Sequence, residues 1–379
     1  MTPQASLGEV LREWGRMGVV GFGGPPAHVA LLRDLCVDRR GWLDAREFED
    51  ANAACGLLPG PASTQLAIFC ARRVAGVTGM LVGGLAFIVP GLILLIALAA
   101  AWLQEQPPDW IRGLSAGAAA AAVAVVAQAG FGLARSILGG RRGALLLRMC
   151  AYLAIGAAAA LSVGGWVVVA LLGCGLVELA LRRGGVAVQA WPAALPLAAS
   201  GVAALPALAW TAFKVGALSY GGGFVIVPLM QADAVDRHGW MTKGQFLNAV
   251  ALGQLTPGPV VQTVSAVGYA AAGLGGAVLA AVVAFAPSFV MIALAGPHFE
   301  RVRASTAARG FLDGAGPAAI GAILGAAVTL LGGVHEAWQW VTLGAAAIAL
   351  FAVRLGTIPV LAGAALVGLG AALAGAPLP

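Results

Sequence analysis

From Leu81 to Leu103 the chain reads LVGGLAFIVPGLILLIALAAAWL without a single charge. That is longer than the ~20 apolar residues needed to cross the hydrocarbon of a bilayer. In hydrocarbon every backbone N–H and C=O must be satisfied internally, which leaves a chain of this composition little choice but helices. Similar runs follow one another along the sequence. Overall 60% of residues are hydrophobic and 10% charged, against roughly 25% charged in soluble domains. The expected fold class is therefore an all-α polytopic integral membrane protein.

Before the first long run, Leu7, Val10, Leu11, Trp14 and Met17 alternate with Glu9, Arg12, Glu13 and Arg16. That spacing marks an amphipathic helix rather than a signal peptide. The net charge of +6 is spread over loops and reads as membrane orientation, not nucleic-acid binding. Five cysteines form no C-x-x-C pair, and four histidines stand in isolation. Neither residue type offers metal spacing, so no metal and no cofactor are expected.

The sequence repeats itself. Phe22-Gly23-Gly24 falls on Tyr220-Gly221-Gly222, a shift of 198 positions (23 to 221). In the same register Val37-Asp38-Arg39 meets Val235-Asp236-Arg237, and Gly41-Trp42 meets Gly239-Trp240. Phe48 meets Phe246, and Pro59-Gly60-Pro61 meets Pro257-Gly258-Pro259. After a one-residue slip, Pro90 meets Pro287. The organisation expected is two homologous halves, residues 1–190 and 191–379.

Loop charges suggest that the halves are inverted. Basic loops face the cytoplasm. Arg72-Arg73 precede the long span of the first half, and its far end is the acidic-to-neutral Gln104–Trp110. In the second half the near loop Ala270–Gly273 is uncharged, and the far loop holds Arg301, Arg303 and Arg309. Extending the count puts Arg135, Arg141, Arg142, Arg148, Arg182, Arg183 and Arg354 inside, with Ser162–Gly165 and Gly332–Gln339 outside. An inverted-topology repeat also requires a crossing near Trp191–Leu205. The spacing predicts helices over 7–20, 77–103, 114–137, 145–161, 165–181, 206–219, 274–295, 311–331, 338–353 and 358–373. It also predicts GG-broken hairpins over 21–35 and 220–234, a polar stretch over 37–50, and PGP-interrupted helices over 51–72 and 246–272. About 10–13 segments are expected in the membrane.

Non-helical backbone at membrane depth survives only where it is buried in protein or lines a wet cavity. The paired GG and PGP breaks therefore mark an interior site. Proline ends one helix and opens the next, and glycine allows the sharp change of direction. A half-helix N-terminus offers free N–H groups and the positive end of a dipole to an anion. Such broken helices meet at the substrate site of repeat-built transporters. Ser63, Thr64 and Gln65 follow the first PGP, Gln262 and Thr263 follow the second, and Gln254 and Thr256 precede it. Hydroxyls and amides there suit a tetrahedral oxyanion.

Arg39 and Arg237 occupy matched positions beside Asp38 and Asp236. They read either as anion contacts or as interfacial ion pairs next to the headgroup anchors Trp42 and Trp240. Lys214, inside an apolar helix, is a functional candidate by the cost of placing it there, with snorkelling as the rival. His28 follows Pro25-Pro26 and reads as an anion or proton site, or as the partner of a loop carbonyl; its counterpart is Ile226. Glu178 and Asp313 are candidate coupling carboxylates or ordinary helix-end charges. The cluster Asp44, Arg46, Glu47, Glu49, Asp50 reads as a solvated face. No dinucleotide fingerprint, P-loop or nucleophile elbow is present, which disfavours an enzyme or a nucleotide-driven pump.

The stretches GFGGPPAHVALLRDLCVDRRGWLDAREFEDANAACGLLPGPASTQLAIF and FKVGALSYGGGFVIVPLMQADAVDRHGWMTKGQFLNAVALGQLTPGPVVQT resemble the chromate ion transporter family, over both halves. The resemblance implies a multi-pass protein of the bacterial plasma membrane that exports chromate, coupled to the proton gradient, with sulfate as a competing dianion. The family's motif residues fall here on Phe22, Gly23, Gly24, Pro25, His28, Arg39, Trp42, Pro59, Gly60, Pro61, Thr64 and Gln65. In the second half they fall on Lys214, Tyr220, Gly221, Gly222, Gly223, Pro257, Gly258 and Pro259. Tyr220 replaces the more usual phenylalanine, and Cys55-Gly56 stands where a pair ending in glutamine is commoner, while the second half keeps Gln254.

The expectation is a secondary active transporter working by alternating access, with a sulfate or other oxyanion transporter as the alternative; a channel is a further rival. Expected partners are chromate or sulfate, the lipid bilayer and protons, with a homodimer left open.

Overall fold

The computed structural model describes residues 5–103, 107–162, 166–182, 204–219, 224–295, 299 and 304–379. Tyr220 to Gly223, Arg183, Arg301, Arg303 and most of the Trp191–Leu205 stretch lie outside them. Among the described residues there is no strand.

Among the described residues each half contains seven α-helices. The first comprises α1 (Leu7–Val20), α2 (Pro25–Arg33), α3 (Ala45–Leu57), α4 (Ala62–Trp102), α5 (Asp109–Leu138), α6 (Gly143–Leu161) and α7 (Val167–Arg182). The second comprises α8 (Ala204–Ala217), α9 (Ile226–Gln231), α10 (Lys243–Leu255), α11 (Val264–Ala295), α12 (Thr306–Leu330), α13 (Ala337–Ala347) and α14 (Thr357–Leu373). Five described segments are long and apolar enough to cross a membrane: α4, α5, α6, α11 with its preceding turn, and α12 with its following turn.

The backbone repeats along with the sequence. Both α2 and α9 continue into a wide π-helical stretch, Asp34–Arg39 and Ala232–Arg237, again 198 positions apart. Helices α3 and α10 start at matched caps of different chemistry. The Asp44 carboxylate accepts from Glu47 N–H, and the Thr242 hydroxyl from Gln245 N–H, each filling one of the orphan donors of a first turn. Asp44 is thus a cap, where the sequence suggested only a solvated face.

The spans expected to begin at Val77 and Leu274 do begin there, each set off by a two-residue non-helical break from the helix that starts at the PGP turn. At ~1.5 Å per residue, the 41 residues of α4 far exceed the ~30 Å of hydrocarbon. A bend at Ala75–Gly76 divides it, and α11 bends at Ala272–Gly273. The glycines have φ of 69° and 60°, a left-handed conformation that ends one helix and lets the next start in a new direction.

Matched helices lie antiparallel. Arg72, early in α4, donates to the carbonyls of Ile292 and Ala293 late in α11, whereas Gly91, late in α4, lies against Gln262 at the start of α11. Likewise Gly130 of α5 packs on Leu324 of α12, and Gly316 of α12 faces Ile137 of α5. Contacts between the halves are reciprocal. A Cβ at Gly117 of α5 would lie 2.1 Å from the Ala364 carbonyl of α14, and one at Gly314 of α12 would lie 2.1 Å from the Cys174 carbonyl of α7. These are the contacts of two inverted copies exchanged by a pseudo-two-fold axis. They rest on small residues that let backbones touch, since lipid gives no hydrophobic drive between helices.

Candidate functional site

Both PGP breaks have the same local construction. Gly60 and Gly258 take φ of 117° and 93°, a region closed to residues with a side chain. Pro61 and Pro259 then open α4 and the short turn Val260–Thr263 that leads into α11. A glutamine folds back over each turn. Gln65 Nε2 donates to the Pro59 carbonyl at 2.7 Å, and Gln262 Nε2 to the Pro257 carbonyl at 2.8 Å and to Thr256 Oγ1 at 2.9 Å. With both amide groups so fixed, the oxygens Gln65 Oε1 and Gln262 Oε1 are left buried without a partner. Thr64 Oγ1, Ser219 Oγ, Ser265 Oγ, Ser288 Oγ and Gln254 Nε2 are also buried and unpartnered. Buried polar groups are nearly always paired. Thr263 does not join them, because its hydroxyl donates to the Val260 carbonyl at 2.7 Å.

The first GG break reaches the PGP breaks through His28. Gly23 and Gly24 have φ of 100° and 70°, and Pro25-Pro26 start α2 where missing N–H groups do no harm. One turn on, the buried His28 places Nε2 at 2.9 Å from the Gly21 carbonyl and Nδ1 at 3.1 Å from Ser63 Oγ. A carbonyl only accepts, so Nε2 carries the proton and, in the neutral ring, Nδ1 accepts from the Ser63 hydroxyl. The edge of Phe87 closes the pocket, with ring centroids 5.0 Å apart. The Gly21 carbonyl also accepts the Gly258 N–H at 2.9 Å. His28 therefore connects Ser63, two residues past the first PGP, to the glycine of the second. In the other half the matched pair is Ile226 and Val261, both buried and apolar.

The cations stand elsewhere. Arg39 pairs with Asp34 at 2.7 Å, both half-exposed, and is not brought to the breaks. Its neighbour Arg40 bonds the buried Glu13 at 3.0 Å and lies over Trp42. Lys214 and Arg237 converge on Asp233, a buried carboxylate that also accepts from Thr211 Oγ1 at 2.8 Å. Lys214 nevertheless lies two residues before Gly216, whose carbonyl sits 3.3 Å from where a Cβ on Gly60 would be. Two cations and one carboxylate leave the cluster net positive, with Lys214 on the helix that touches the first break and Asp233 and Arg237 on the stretch after α9. Glu178 is buried between Arg148, Arg182 and Tyr152, and Arg182 continues to Asp313 at 2.7 Å. That network ties α6, α7 and α12 together.

Sequence reasoning passed over Asp233, Gly91 and Ser288. Asp233 carried a signal, as an acidic residue in the apolar stretch Val225–Val235. It also passed over a cavity of about 330 Å³ between α6, α9, α10 and α12, whose polar lining includes Gln231, Asp236, Lys243 and Thr329.

The family described as Chromate transporter matches residues 8–179 and 206–369. The chromate transport protein of Cupriavidus metallidurans is 30% identical over 97% of this chain and 94% of its own length. The chromate transport protein of Pseudomonas aeruginosa is 31% identical over 85% of this chain and 80% of its own. An uncharacterized transporter of Methanocaldococcus jannaschii is 24% identical over 77% of the chain and 76% of its own length. No solved structure matches. These relatives are transport proteins rather than enzymes, and the chain belongs to the chromate transporter family.

Proposed function

We propose that this protein is a secondary active transporter that exports chromate across the bacterial plasma membrane, driven by the proton gradient. The observation that carries the reading is the group of buried, unpartnered donors at the two matched helix breaks, the hydroxyls of Thr64, Ser265 and Ser288 and the Gln254 amide N–H. Such a group is costly unless something occupies it. A tetrahedral dianion needs several donors at once, and the start of α4 offers the Thr64 hydroxyl and the free N–H groups of its first turn, while Ser63 and Gln65 hold the turn through His28 and Pro59. The pseudo-two-fold arrangement supplies two nearly equivalent packings of one half on the other, which is what alternating access requires. The positive Lys214–Asp233–Arg237 cluster favours an anion over a cation at the adjacent break. Residues 1–190 and 191–379 would then be the two transport repeats.

Uptake of labelled chromate and sulfate into everted vesicles, with and without a proton gradient, tests this. Saturable chromate uptake that falls when the gradient is collapsed supports it. Uptake of sulfate but not chromate assigns the protein to another oxyanion, and movement of neither removes the reading.

A further inference from the structure

The two breaks share a turn but not a neighbourhood. Across the second break lies Gly91 of α4, and a Cβ built there would sit 2.0 Å from the Pro257 carbonyl. The backbone of α4 thus rests directly on the turn and leaves no room. The Gly258 N–H is already bonded to the Gly21 carbonyl, and the hydroxyls of Thr256 and Thr263 are both in hydrogen bonds. Gly91 thus closes the turn itself, while Ser265 Oγ in the first turn of α11 and Gln254 Nε2 stay unpartnered.

Across the first break the position matched to Gly91 is Ser288, each following a proline, Pro90 and Pro287. Ser288 is fully buried, and its Oγ lies 3.5 Å from where a Cβ on Gly60 would be. It has no hydrogen-bond partner, although a helical serine ordinarily back-bonds to its own preceding turn. Thr64, also fully buried, leaves its Oγ1 unpartnered two residues into α4. A side chain on α11 therefore stands where the other half has bare backbone, and two free hydroxyl donors, one from each half, flank the start of α4. Lys214 of the net positive cluster lies on α8, the helix whose Gly216 touches the same turn, while Asp233 and Arg237 lie on the stretch after α9.

We infer that Ser288, contributed by the opposite half, is a ligand of an anion seat at the first break, alongside Thr64 and the N–H groups opening α4. The ligand class is a tetrahedral oxyanion, and the inference rests on the transport reading above.

The test compares Ser288→Ala and Ser288→Thr with the wild type in two assays. These are chromate KM in vesicles, and the rise in unfolding temperature that chromate gives the detergent-purified protein. Losing one hydrogen bond to a charged ligand raises KM roughly tenfold or more. Ser288→Ala should show that rise and lose the chromate-dependent thermal shift, with its ligand-free unfolding temperature unchanged or higher. Ser288→Thr, which keeps the hydroxyl, should recover wild-type KM to within about threefold. Wild-type KM and thermal shift in Ser288→Ala overturn the inference while leaving transport intact. If Ser288→Ala is unstable, equal KM values for Ser288→Thr and Ser288→Cys overturn it instead, since the thiol is a weak donor. A wild type that neither moves chromate or sulfate nor is stabilised by them defeats the transport reading itself.

Discussion

The Gly258 N–H donates to the Gly21 carbonyl at 2.9 Å, joining the two halves of the chain at their breaks. The same oxygen accepts from His28, whose other ring nitrogen meets Ser63. In the matched place the second half has Ile226 and Val261. One half thus closes this corner with a polar pair and the other with an apolar pair of similar bulk.

That exchange predicts a double-mutant cycle. His28→Ile alone leaves the Gly21 carbonyl and the Ser63 hydroxyl short of a partner, and Ser63→Val alone leaves Nδ1 without one. Each should cost about 1–3 kcal/mol. The double variant should be more stable than the sum of the two, with a coupling of about 1–2 kcal/mol. Thermal unfolding of the purified proteins in detergent measures it.

Gly91→Ala should be among the most damaging single changes outside the charged residues. Its methyl would be driven into the Pro257 carbonyl and Gln262, an overpacking penalty of about 1–3 kcal/mol or more. Ser288→Gly, the matched change in the other direction, should leave the fold intact. Yield of monodisperse protein and unfolding temperature separate the two.

The cluster on Asp233 predicts a rescue. Asp233→Asn strands Lys214 and Arg237 without their counter-charge in a largely buried site, at about 3–5 kcal/mol. Asp233→Asn with Lys214→Met should recover much of the loss. Arg39→Gln, by contrast, breaks only a half-exposed pair with Asp34. It should change neither stability nor chromate KM appreciably. A strong transport defect in Arg39→Gln at normal expression would contradict its placement away from the seat.

Inversion predicts sidedness. Asp38 and Asp236 are matched and exposed. Single cysteines at these positions, in a background with the five native cysteines replaced, should react with an impermeant maleimide from opposite faces of the membrane.

The repeat was legible because glycine and proline punctuate it. Gly60 and Gly258 repeat a backbone conformation no other residue readily adopts, so their spacing reported geometry directly. The break at Gly76 was legible for the same reason, since its φ of 69° also favours glycine. The meeting of α8 and α9 on Asp233 depends on packing between helices, which periodicity within one helix does not carry. The difference between the breaks was hidden for another reason. Comparing the halves position by position aligns Gly91 with Ser288, but only the fold shows that each faces the break of the other half.

The central claim is tested most directly by flux in a defined system. The purified chain, reconstituted in proteoliposomes, should move chromate saturably, with competition from sulfate and acceleration by an imposed proton gradient. Chromate flux equal to that of protein-free liposomes, from protein that is folded and inserted, would contradict the account.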